Sequence, residues 1–83
     1  LDGAAKDILD AAMQQARAAG VDSQPVARTG NRPYELIIAA AQTHGCDLIF
    51  MASHGRRGVE ALLLGSETQK VLTHSTVPVL VYR

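Results

Sequence analysis

Apolar positions along this chain switch between two rhythms. In residues 2–20, DGAAKDILDAAMQQARAAG, the residues Ala5, Ile8, Leu9, Ala12, Ala16 and Ala19 recur at helical spacing, while Lys6, Asp10 and Arg17 can face water. Asp2 is placed to cap this helix and Gly20 to stop it. Its alanine-rich face suits close packing on a flat partner such as a sheet. VDSQPVAR (Val21–Arg28) reads as a short strand, and Pro25 assigns it to an edge because proline cannot donate to a ladder. TGNRP follows as a turn with a helix start inside it. Gly30 tolerates positive φ, Asn31 can cap, and Pro33 suits the first helical turn. The next helix runs through YELIIAAAQTH to Gly45, with Tyr34, Ile37, Ile38 and Ala41 as its apolar stripe.

The second rhythm is continuous. CDLIFMAS does not alternate, and Leu48–Ala52 are all apolar, the pattern of a parallel strand covered on both faces. SETQKVLTH then reads as a helix, with Ser66 and Gln69 at capping-box spacing. HSTVP is a turn. VPVLVYR is a closing strand with Pro78 at its beginning, where a missing donor is tolerable. Helix, strand, helix, strand, helix, strand is α/β alternation with right-handed crossovers. Two strongly apolar strands and one weak one make a thin sheet, so either further sequence or another chain is expected to complete the layer.

Length and composition narrow this. Eighty-three residues suit one domain spanning 1–83, and a chain of this size buries only about 60% of the surface its unfolded form exposes. Eight basic and eight acidic residues cancel, which argues against a nucleic-acid partner or a polybasic membrane anchor. The apolar runs fall well short of the roughly 20 residues that span a bilayer. The single Cys46 cannot form an internal disulfide, and a reducing, cytoplasmic setting is expected. Cys46 itself is expected to be buried beside Leu48 and Ile49. Leu1 opens the chain without an initiator Met; processing, a cut or upstream sequence would each produce this.

The chemistry concentrates in MASHGRRGVEALLLGS, Met51–Ser66. Amides at the carboxyl end of a parallel strand and at a helix start converge on anions. Gly55 and Gly58 can expose amides, Ser66 can donate a hydroxyl, and Arg56 or Arg57 can add charge. Spacing alone leaves a phosphate cradle and a plain structural turn both open. It excludes a Walker loop, since no Lys-Ser or Lys-Thr follows the glycines, and it excludes the dinucleotide fingerprint. Glu60 and Glu67 are the nearest candidates for a magnesium ligand. His44, His54 and His74 lack partners at metal spacing. Ser53 and His54 are neighbours without an acid to orient the histidine. No dedicated enzymatic activity is expected, although slow ATP hydrolysis could accompany binding.

Residues 47–83, DLIFMASHGRRGVEALLLGSETQKVLTHSTVPVLVYR, resemble the universal stress protein family, and the similarity extends over essentially the whole chain. The family pattern is a strand ending in glycine, two residues, glycine, nine residues, then glycine with Ser or Thr. Those places are Ala52, Gly55, Gly65 and Ser66, with Ala52 where the family has glycine. The resemblance implies an open parallel sheet with covering helices, of the adenine nucleotide alpha hydrolase-like type. This chain would supply its second to fourth helices and third to fifth strands, lacking the first strand-helix-strand. The family's first strand would lie between Val21–Arg28 and Leu48–Ser53. The resemblance also implies ATP, with magnesium, on the loop. Gly55, Gly65 and Ser66 match phosphate-contacting positions, with Ala52, His54 and Arg56 beside them. In the family, adenine and ribose are held from the first two strands. Other members bind no ATP and act in the stress response through dimer contacts. Val79, Leu80 and Val81 fit the family's homodimer interface on the last strand.

Overall fold

The computed structural model describes residues 3–53 and 64–82. In chain order these form helix α1 (Gly3–Ala18), helix α2 (Pro33–Thr43), strand β1 (Ile49–Ala52), helix α3 (Ser66–His74) and strand β2 (Val79–Tyr82). The fold is α/β, a small parallel sheet flanked by helices, as the sequence predicts. Residues Ile49 to Ala52 pair in order with Val79 to Tyr82.

Both long helices end as their glycines require. Gly20 and Gly45 hold φ of 73° and 64°, a region that side chains with a Cβ rarely enter. After α1, Gly20 N donates to Arg17 O and Val21 N to Ala16 O; after α2, Gly45 N donates to Gln42 O and Cys46 N to Ala41 O. These paired bonds satisfy carbonyls that a helix end otherwise leaves open. Gly30 differs, because its φ is not in the left-handed region. A Cβ there would meet Leu36 Cδ1 at 3.2 Å, so this glycine leaves room for Leu36.

The core lies between α2, α3 and one face of the sheet. Val71 is fully buried, Ala41 and Ile49 nearly so, and Tyr34, Ile37, Ile38, Met51 and Val79 pack around them. The predicted stripe of α2 is therefore its inner face. Burying a side chain such as Val71 is worth about 1.5–3 kcal/mol.

Several expectations are corrected. Residues 21–28 are not a strand. A strand needs a ladder partner, and among the described residues β1 is hydrogen-bonded to β2 alone. Gln24 and Val26 instead face Leu48 and Ile49 across an apolar groove of about 420 Å³. β1 is not covered on both faces, since Phe50 is 61% exposed and Leu80 and Tyr82 beside it are exposed too. Their rings and chains share the face opposite the core, where Phe50 and Tyr82 stack with centroids 5.2 Å apart. Cys46 is exposed rather than buried, because it follows the Gly45 turn at the mouth of that groove. No residue of α1 is buried. The two-stranded sheet does not extend beneath it, and Leu9 and Met13 look instead toward Ser23–Val26. Asp2 lies outside the described residues.

The caps also differ. Arg32, not Asn31, occupies the N-cap of α2 and makes no side-chain cap bond, while Pro33 takes the first turn as expected. Gly65, not Ser66, is the N-cap of α3. Ser66 is thus already inside the helix, and the capping box does not close. Gln69 sends its Nε2 to Leu64 O at 2.9 Å instead.

Candidate functional site

The loop singled out in the sequence leaves β1 at Ser53 and returns at Leu64. The structure fastens its two stems together. Gly65 N donates to Ser53 O at 2.6 Å, and Ser53 N donates to Tyr82 O at 2.8 Å. Thr68 Oγ1 donates to Ala52 O at 3.0 Å. Ser53 and Thr68 are both buried. The end of β1 and the start of α3 are thereby held side by side.

This brings together Ala52, Gly65 and Ser66. His54, Gly55 and Arg56 lie outside the described residues, as do Arg57, Gly58 and Glu60. Gly65 is extended, with φ −61° and ψ 153°, so its conformation does not itself demand glycine. The amides of Ser66, Glu67 and Thr68 open α3 with no intrahelical acceptor, and no described residue supplies one. The Ser66 hydroxyl is likewise unpaired among described residues and exposed. Donors and helix dipole here favour an anion.

Glu67 is not directed to this space. Its Oε1 accepts from Tyr34 N at 3.0 Å, filling the N-terminus of α2 that Arg32 leaves uncapped, and its Oε2 meets Lys70 at 3.4 Å. Tyr34 is held further by His74, ring to ring at 5.3 Å, and by Lys70 Nζ 5.6 Å from its ring centroid. Arg32 hydrogen-bonds Glu35 at 3.2 Å, and that bond, then the Glu35 charge, raises its pKa further above the usual guanidinium value. Among the described residues no three His, Cys, Asp or Glu side chains cluster as a metal site, and no helix is long and apolar enough to cross a membrane.

The sequence did not single out Thr68, and it offered Glu67 as a magnesium ligand rather than as the partner of Tyr34 N. Thr68 had a signal. It lies three residues before Val71 on the buried face of α3, and a hydroxyl there needs a partner. The partner of Glu67 stands 33 positions away, and no local pattern announces it.

A model of the universal stress protein family matches residues 1–83. The chain belongs to the universal stress protein family. It is 43% identical over 51 residues to a universal stress protein of Methanocaldococcus jannaschii, covering 61% of this chain and 32% of that protein. A universal stress protein of Thermus aquaticus is 39% identical over 64 residues, covering 77% and 47%. One of Bacillus subtilis is 36% identical over 76 residues, covering 92% and 51%. The chain spans between about a third and a half of the length of these universal stress proteins.

Proposed function

We propose that this universal stress protein chain is a cytoplasmic, regulatory stress-response protein that binds ATP with the phosphates at the start of α3. The single observation that supports this is the fastening of Ala52–Ser53 beside Gly65–Ser66, with the Ser66 and Glu67 amides unpaired among the described residues. In this reading those amides and the Ser66 hydroxyl hold phosphate oxygens, and His54, Gly55 and Arg56 line the same loop. Ala52 adds one methyl where the family pattern has glycine. Glu67 is committed to Tyr34 and Lys70, so magnesium would arrive on the triphosphate rather than on this carboxylate. In this reading binding is the function, and ATP hydrolysis, where it occurs, is slow and accompanies it.

Titration with magnesium-ATP by calorimetry tests this. Saturable binding is expected for the wild type. Gly65→Arg abolishes it by filling the phosphate space, and Ser66→Ala weakens it about tenfold, the cost of one hydrogen bond to a charged group. A folded wild type that binds no ATP sinks the reading.

A second reading has its own observation. Among the described residues the outer edge of β2 has no ladder partner, and Leu80 is exposed. Open apolar edges invite pairing. Here the chain acts through a homodimer joined at Val79, Leu80 and Val81, with no nucleotide. Leu80→Lys is expected to halve the mass in solution; an unchanged dimer rejects that interface.

A further inference from the structure

We propose that Thr68 is the positioning residue of the loop, setting the distance between the end of β1 and the first amides of α3. The inference deepens the ATP reading and rests on it for its effect on binding. A threonine inside a helix ordinarily returns its hydroxyl to a carbonyl one turn back. Thr73 in the same helix does so, donating to Gln69 O at 2.9 Å. Thr68 does not. The carbonyl four residues before it, Leu64 O, receives Gln69 Nε2, and the one three residues before it, Gly65 O, receives Gln69 N. Its hydroxyl crosses instead to Ala52 O, 16 positions away.

The choice of acceptor matters. Ile49 N and Ser53 N donate to Pro78 O and Tyr82 O, so in a parallel ladder the peptide groups of Phe50 and Ala52 point to the opposite edge of β1. The Ala52 carbonyl therefore has no strand to accept from among the described residues, and Thr68 satisfies it. One hydroxyl fixes the residue that the family pattern places first in the loop. The backbone bond Gly65 N to Ser53 O fixes the next. Together they hold both stems of the loop; the Gly65 amide is spent on this clamp, and the Ser66 and Glu67 amides stay unpaired among the described residues. Thr68 touches no ligand in this scheme; it acts through Ala52 and the helix start.

Thr68→Val keeps the shape and removes the donor, whereas Thr68→Ser keeps the donor. Magnesium-ATP affinity is measured for both well below their melting temperatures, so that a loss of stability alone does not enter. Thr68→Val is expected to bind up to about tenfold more weakly, because stems loosened in the free protein must be re-ordered on binding at a cost bounded by the lost hydrogen bond, and Thr68→Ser within about twofold of wild type. Equal affinity of Thr68→Val and wild type overturns the proposal. If wild type binds no ATP, the functional reading fails, and hydrogen exchange at the Gly65 amide then decides the clamp. Faster exchange in Thr68→Val than in wild type supports it, and equal exchange overturns it. If Thr68→Val does not fold, the wild-type Thr68 hydroxyl proton is read by NMR. Slow exchange with water supports the clamp, and fast exchange overturns it.

Discussion

The two faces of the sheet are built from equally apolar strands and have opposite fates. On one face Ile49, Met51 and Val79 lie under α2 and α3 with Val71 at the centre. On the other, Phe50, Leu80 and Tyr82 are exposed, and α1 contributes no buried residue. Hydrophobicity in a sequence measures a capacity for burial. What realises it is an element that crosses over, and here α2 and α3 both serve the same face. They are also bound to each other by Glu67 at Tyr34 N, which gives the covered side a polar tie as well as an apolar core.

The largest expected effect tests the covered side. Val71→Asp places a charge where no solvent reaches and should cost more than about 4 kcal/mol, enough to abolish cooperative unfolding in a small domain. A normal melting curve would mean that the core lies elsewhere. Next come the paired helix stops. Gly45→Ala forces a side chain into φ of 64° and should cost about 1 kcal/mol, seen as a lower melting temperature. Gly20→Ala imposes the same strain at 73° on a helix without buried residues, and should reduce helicity by circular dichroism while scarcely moving the melt. Equal shifts for the two would dissolve the contrast between the halves. Glu67→Gln keeps an acceptor but loses the charge at α2, an effect of about 0.5 kcal/mol that high salt should erase. The smallest effect belongs to the open side. Phe50→Ser should change stability by no more than about 0.5 kcal/mol and raise solubility. A loss well beyond that would show this face to be covered in solution.

The elements were legible because their signals are local. Gly20 and Gly45 stop helices, Pro33 starts one, and the runs through Ile49 and Val79 can only be strands. The strand expected at Val21–Arg28 was not, because a strand exists by its partner and none of the described residues pairs with it. The same reason explains Phe50: an unbroken apolar run says that both faces suit burial, not that both are buried. At the loop, Ala52, Gly65 and Ser66 were singled out together by the family pattern rather than by local spacing. Gly65 displaced Ser66 as the cap because the stem bond to Ser53 draws the chain in one residue earlier. The roles of Thr68 and Glu67 depend on where β1 and α2 lie in space, which spacing along the chain does not encode.

The tie at Tyr34 has a spectroscopic consequence. The chain has no tryptophan and two tyrosines, and they fall on opposite sides of the sheet. Tyr82 stacks on Phe50 on the open face, while Tyr34 sits between His74, Lys70 and the carboxylate that follows Ser66. With Tyr82→Phe, all intrinsic tyrosine emission comes from Tyr34. The fluorophore then reads the packing of α2 against α3 through Lys70 and His74, with no label attached.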